Sequence, residues 1–266
     1  IAFAPSQPDY AVVPVDDEGM QTGRLEAILA AQPQVKMIYT IPDFQNPTGV
    51  TLSLERRKAL IALANRYDLI VLEDTPYRHI RFAGHNLPTL KSLDTEGRVI
   101  HLGSFSKILV PGLRMGWAVA NPDLLSRMGQ LKVAADTQTS TLNMAAASLF
   151  LDRYDLNAHI ATLRSAYATK KEAMLDAIRR HFPQEIMATD PQGGLFTWLT
   201  FPEGFDATEF MRHVALPQAR VAYVPGATFF PLTPRANHAR LNYSAPSLSA
   251  IETGMAALGR ALHANL

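Results

Sequence analysis

Three short segments hold the residue types and spacings that could do chemistry. The first is Ser104-Phe105-Ser106-Lys107, followed by Pro111-Gly112-Leu113-Arg114-Met115-Gly116-Trp117. Two hydroxyls, an amine and a guanidinium lie between positions 104 and 114. Hydroxyls and an Arg are what a phosphate dianion needs. A desolvated Lys beside a bound aldehyde can form a Schiff base. The second segment is Asp43-Phe44-Gln45-Asn46-Pro47-Thr48-Gly49, and the third is Leu72-Glu73-Asp74-Thr75-Pro76-Tyr77. Each has a plainer reading. Lys107 could be a solvated surface charge, Asn-Pro and Thr-Gly an ordinary turn, and Asp74 a helix cap. All three segments follow apolar, β-rich runs, and one shared site explains that coincidence better than three separate accidents.

The elements that position them alternate strand and helix. Tyr10–Val15, Val35–Thr40, Leu69–Leu72, Val99–Gly103 and Gly116–Ala120 read as strands. Leu25–Ala31 and Ser53–Tyr67 read as helices between them. That order predicts an α/β fold, a mostly parallel sheet with helices on both faces. Such sheets bind ligands beyond the carboxyl ends of their strands. Asp123–Ala135, Asn143–Leu151 and Tyr154–His181 follow as helices. From Pro183 the texture becomes α+β, with strands expected at Leu195–Phe201, Val221–Val224 and Arg240–Tyr243. A closing helix carries Leu248, Ile251, Met255, Leu258 and Leu262 on one stripe, with Ser249 and Glu252 as its expected capping box. A large domain over residues 1–160 and a smaller α+β domain over 161–266 are therefore expected.

Together the segments resemble the fold-type I, pyridoxal-phosphate-dependent aminotransferases of class I and II. The resemblance runs from about residue 10 to the C-terminus. It rests on Asn-Pro-Thr-Gly at 46–49, Asp-x-x-Tyr at 74–77, Ser-x-Ser-Lys at 104–107 and Gly-x-Arg-x-Gly at 112–116. It implies that Lys107 forms the Schiff base and shuttles the proton. It implies that Asp74 pairs with the pyridinium nitrogen, where a carboxylate keeps that nitrogen protonated. Asn46 and Tyr77 are implied at the ring's phenolate oxygen, and Ser104, Ser106 and Arg114 at the phosphate. Gly193-Gly194-Leu195-Phe196 and Val224-Pro225-Gly226 look like landmarks of the small domain. Arg240, on the late strand, would clamp the substrate α-carboxylate. Period-two alternation sets Arg240, Asn242 and Ser244 on one face and Leu241 and Tyr243 on the other.

Ser53-Leu54-Glu55-Arg56-Arg57 after Asn-Pro-Thr-Gly-Val is similar to the aminoadipate and kynurenine aminotransferases and to MocR-type regulators. The implied reaction moves the amino group of an L-amino acid to a 2-oxo acid, with 2-oxoglutarate as the common partner, in a cytoplasmic homodimer. Three alternatives stay open: a regulator's effector-sensing domain, a lyase or decarboxylase on the same fold, and a shortened chain unable to hold the cofactor. Complete members carry a further N-terminal part, with a phosphate-cup loop and a ring-stacking aromatic. Ser6-Gln7 is a poor match to that loop.

Composition removes other classes. The 266 residues are 47% apolar, enough for a core, and 25 Lys+Arg balance 24 Asp+Glu. That balance offers no electrostatic case for nucleic acid or a membrane surface. With no Cys, disulfides, thiolate zinc sites and cysteine nucleophiles are excluded. The eight His show no metal spacing; His79 and His101 are expected in packing or loop roles. Trp117 and Trp198 are expected in the core, and Arg56-Arg57-Lys58 on a solvated helix face.

Overall fold

The computed structural model describes residues 3–266. Two short strands, β1 (Val15–Asp16) and β2 (Gly19–Met20), form a hairpin that leads into α1 (Thr22–Ala31). The main sheet has four strands in the order β3 (Met37–Thr40), β4 (Ile70–Asp74), β5 (Val99–Ser104) and β6 (Gly116–Val119). The first two pairings are parallel and the last is antiparallel. Between β3 and β4 runs α2 (Leu54–Arg66), and the short α3 (Leu90–Leu93) precedes β5. Ser53 starts α2 by accepting a hydrogen bond from the Arg56 N–H. Leu60, Leu63 and Ala64 of α2 then pack with Leu25 and Leu29 of α1 on Ile38, Val71 and Val99 of the sheet. Alternation explains the fit: Ile38 and Val71 point into this layer, while Met37 and Tyr39 point to the other face and stay exposed.

Beyond β6 come α4 (Pro122–Asp136), α5 (Thr141–Arg153) and the long α6 (Leu156–His181). A second four-stranded sheet follows, ordered β7 (Met187–Ala188), β8 (Phe196–Thr200), β10 (His238–Asn242), β9 (Val224–Pro225), all antiparallel. The short α7 (Ala207–Phe210) continues into a wide helical turn over Met211–Ala219, and α8 (Leu248–His263) closes the chain. One core joins Met174 and Ile178 of α6, Leu199 of β8, Leu241 of β10, and Ile251, Met255, Leu258 and Leu262 of α8. Burying each such side chain contributes about 1.5–3 kcal/mol.

Four expectations need correction. Residues 10–14 form no strand; the chain there runs as coil with Tyr10 and Val12 exposed, and pairing begins only at Val15. The Val221–Val224 strand shrinks to Val224–Pro225, because only these residues pair with β10. The cap of α8 is Ser247, whose side chain accepts from Ala250 N–H. Glu252 turns away from that end to bind Arg180 and His181 on α6. Arg56-Arg57-Lys58 is no solvated face, since Arg57 is completely buried. Its guanidinium bonds Asp43 and the carbonyls of Pro42, Leu52 and Pro88, which repays its desolvation.

Candidate active site

The carboxyl ends of β3, β4 and β5 lie side by side, so the three segments singled out by residue type share one edge. Asp74 is the last residue of β4 and pairs with Leu102 of β5; Ser104 ends β5 two residues later. The chain then turns tightly, with Ile108 and Leu109 N–H both bonding Phe105 O. Ser104 Oγ accepts from Ser106 N–H at 3.1 Å, which fixes the turn that carries Lys107. Ile108 is buried, Lys107 is half-buried, and the Phe105 ring meets Trp117 at 5.1 Å. Trp117 is half-buried, with its indole lying over Gly103, where a Cβ would stand 2.1 Å from the ring. Trp198 is buried as expected. Arg114 ends the 110–114 loop in the left-handed region, at φ 51°, and is exposed.

Asn46 comes from the loop after β3. Gln45 Oε1 braces this loop by accepting both the Thr48 N–H and its hydroxyl. Asn46 Oδ1 accepts a 2.6 Å hydrogen bond from Arg240, which reaches across from the other sheet. The Arg240 guanidinium lies 4.0 Å from the Phe196 ring centroid and 5.1 Å from that of Phe229. Among the described residues its buried Nε has no partner, and burial pulls its affinity for the proton below that of an ordinary Arg. Leu241 and Tyr243 point the opposite way, into the core, as alternation predicts. Tyr77 is buried, with its ring edge-on to Phe196 at 5.6 Å. Burial raises the Tyr77 hydroxyl, and the nearby Arg240 charge opposes that rise. Burial likewise raises the Asp74 carboxyl, opposed by a hydrogen bond from Tyr39 and by the charge of His101.

Asn46, Tyr77 and Arg240 thus form one contiguous cluster, with Asp74 at the adjoining strand end. Ser104 ends β5, Ser106 and Lys107 lie in the loop that follows, and Arg114 stands farther out, exposed. Among the described residues, no hydrogen bond or ion pair joins Lys107 to Asp74. The described residues also contain no group of His, Asp and Glu that could hold a metal ion.

Several participants escaped the sequence reading. Phe229 flanks Arg240 but looks like an ordinary core aromatic, and Phe196, singled out only as a landmark of the small domain, gave no sign of its contact with Arg240. Glu73 faces away from Asp74; it accepts the Leu90 and Lys91 N–H groups at the start of α3 and contacts His101 Nδ1 at 2.8 Å. The largest omission is Asp43, fully buried beneath the Asn46 loop. It contacts Arg57 at 2.8 Å, Arg78 at 2.9 Å and Arg81 at 3.5 Å. Arg81 also covers the Phe44 ring at 4.7 Å and bridges to Gly193. Only the unusual density of Arg in 56–81 signalled it, and nothing there says which Arg turns inward.

Comparison with known proteins bears directly on this geometry. The sequence profile of the family described as aminotransferase class I and II matches residues 9–258. The chain belongs to that family. This aminotransferase-family chain is 41% identical over 247 residues to aromatic-amino-acid aminotransferase 1 of Thermococcus litoralis, covering 91% of this chain and 59% of that protein. The crystal structure of LysN, the α-aminoadipate aminotransferase of Thermus thermophilus complexed with N-(5'-phosphopyridoxyl)-L-leucine, superposes with a TM-score of 0.93 at 38% identity. That match covers 99% of this chain and 67% of LysN. The transcriptional regulator TauR of Rhodobacter capsulatus is 35% identical over 251 residues, 94% of this chain and 50% of the regulator. The aminotransferase-family chain therefore spans about three-fifths of the Thermococcus protein and half of the regulator.

Proposed function

We propose that the protein is a pyridoxal-phosphate-dependent aminotransferase that moves the amino group of an L-amino acid to a 2-oxo acid. The observation that carries this reading is Arg240: half-buried, flanked by two aromatic rings, held by Asn46, and with a buried Nε that has no partner among the described residues. A guanidinium prepared in this way suits a carboxylate, which can take two parallel N–H bonds. The residues at the strand ends also fit the cofactor. Among the described residues, neither the Lys107 amine nor the Tyr77 hydroxyl has a hydrogen-bond partner.

When bound, the cofactor supplies an aldehyde for amines and a ring that draws electrons from the substrate Cα. Lys107 would bind that aldehyde and, once released, move the proton to and from Cα. Asp74 would hold a proton at the ring nitrogen. Tyr77 and Asn46 would orient the ring's oxygen, and Ser104, Ser106 and Arg114 would bind the phosphate. Arg240 would bind the α-carboxylate and leave the side chain of the amino acid free. We assign residues 1–160 to a cofactor-binding domain and 161–266 to a smaller one, a division supported by the two separate four-stranded sheets. Aromatic and aminoadipate-like amino acids are the first donors to test, by analogy with the relatives. We further propose that the protein is cytoplasmic and forms a homodimer; the pairing is supported by exposed Leu131, Leu142, Leu149 and Tyr154 on α4, α5 and the turn after it. No helix among the described residues is long and apolar enough to cross a membrane.

The test is incubation of the purified protein with pyridoxal phosphate, borohydride reduction and peptide mapping, followed by assay of 2-oxo acid formation. The expected result is cofactor trapped on Lys107 and amino transfer that the substitution Lys107→Ala abolishes. Loss of CO₂ from the substrate instead would indicate a decarboxylase. The similarity to TauR supports a second reading, an effector-sensing domain; cofactor binding with no turnover of any amino acid would favour it.

A further inference from the structure

The Tyr39 hydroxyl donates to Asp74 Oδ2 across 2.8 Å. The two side chains come from neighbouring parallel strands. Tyr39 is the register partner of Leu72, and Asp74 lies two residues farther along β4 on the same face. The contact is therefore built into the sheet and needs no loop to hold it. Although Tyr39 is exposed overall, its hydroxyl is desolvated against Asp74, and that desolvation and the Asp74 charge raise it above its ordinary value, so it stays protonated and remains a donor. The charged and titratable groups around Asp74 are Tyr39 on β3, His101 on β5 and Tyr77 in the turn beyond β4. Among the described residues, no group donates to the other carboxylate oxygen, Oδ1.

Building on the pyridoxal-phosphate reading above, we propose that Tyr39 is a positioning residue for Asp74, pinning Oδ2 and stabilising the carboxylate so that Oδ1 holds the proton of the cofactor's ring nitrogen. The physical reason is a competition for that proton. A carboxylate that accepts an O–H bond is a weaker base and leaves the proton on the ring. Without the hydroxyl, a half-buried carboxylate is a poorer anion, and the pair shifts toward its neutral form. A neutral ring nitrogen draws electrons less strongly, which slows proton removal from Cα. The Arg240 clamp is untouched, so substrate binding is unaffected.

The test compares wild type with Tyr39→Phe, both loaded with pyridoxal phosphate. Three quantities are read: kcat and KM for one amino acid, and the pH midpoint of the cofactor's visible absorbance band. The expected outcome for Tyr39→Phe is a fall in kcat of about tenfold, equivalent to about 1.4 kcal/mol, with KM unchanged. The band's midpoint rises by about one unit, because an uncharged ring nitrogen leaves the conjugated lysine nitrogen more basic. In an Asp74→Asn background the same substitution has no further effect on the midpoint, since the proton acceptor is already gone. Unchanged kcat and midpoint in Tyr39→Phe overturn the proposal while the function stands. A wild-type protein that takes up no pyridoxal phosphate overturns both.

Discussion

At the residue scale, the site depends on charged groups held where water cannot easily replace their partners. Arg240 is the clearest case. Arg240→Lys keeps the charge but loses the planar fork, so KM for the amino acid is expected to rise by about 10- to 100-fold, the scale of a lost charged hydrogen bond of about 1.5–3 kcal/mol. Steady-state kinetics on an amino acid and on its amine lacking the carboxylate checks this; the amine should not distinguish the two proteins. Asp43 acts one step removed. It has two buried neighbours in Arg57 and Arg81 and a third, Arg78, at the edge. Asp43→Ala leaves these guanidinium groups without their carboxylate and should lower stability by about 3–5 kcal/mol. Urea unfolding is the measurement, and an unchanged midpoint would show that backbone carbonyls alone sustain Arg57. Neither residue's role could be read from its identity alone. Arg240 had a motif around it, whereas Asp43, beside the Asn-Pro-Thr-Gly motif, had no visible partner, because its partners lie 14–38 positions away.

At the element scale, the joint between α6 and α8 is set by a close approach and by an ion pair. Gly259 of α8 lies so near α6 that a Cβ would stand 2.3 Å from the His181 carbonyl oxygen. Ser247 is the cap, so Ser247→Ala should cost about 1 kcal/mol, and Ser249→Ala distinctly less. A thermal melt of both variants decides which serine starts the helix. Glu252 meets Arg180 and His181 across the joint, and these partners lower its carboxyl from 4.5 to about 2. A lowered folded value means the stabilisation is present above the unfolded value and lost as pH falls through the folded one. Wild type should thus exceed Glu252→Gln in stability above about pH 4.5, and the two should converge toward pH 2. The stripe of apolar residues on α8 was legible because its period is purely local. The cap was not, since Ser247 and Ser249 are both plausible until the first turn is fixed.

At the scale of the whole molecule, the two sheets meet where Asn46 bonds Arg240, Thr189 bonds the Thr48 carbonyl, and Gly194 N–H bonds Ile80 O. Gly193 permits that contact, since a Cβ there would collide with Ile80 O and with the Phe44 ring at 2.3 Å. On α4 and α5, Leu131 is 71% exposed and Leu142 76% exposed. If this surface joins two copies, Leu142→Asp should shift the protein toward monomer in sedimentation equilibrium. Equal masses for variant and wild type would place any dimer contact elsewhere.

The sequence by itself determined most of the elements and the edge on which they converge. Alternating strands and helices imply a parallel sheet, and parallel strands bring their following loops to one side whatever the side chains. That is why Asn46, Asp74 and Lys107 could be grouped before any coordinates. Only the tertiary structure decided which groups touch. The Asn46–Arg240 bond spans 194 positions, Arg57 turns inward toward Asp43, and Tyr39 reaches Asp74 through strand register. Local periodicity carries the direction of a side chain relative to its own element. It does not carry the distance between elements, which packing alone sets.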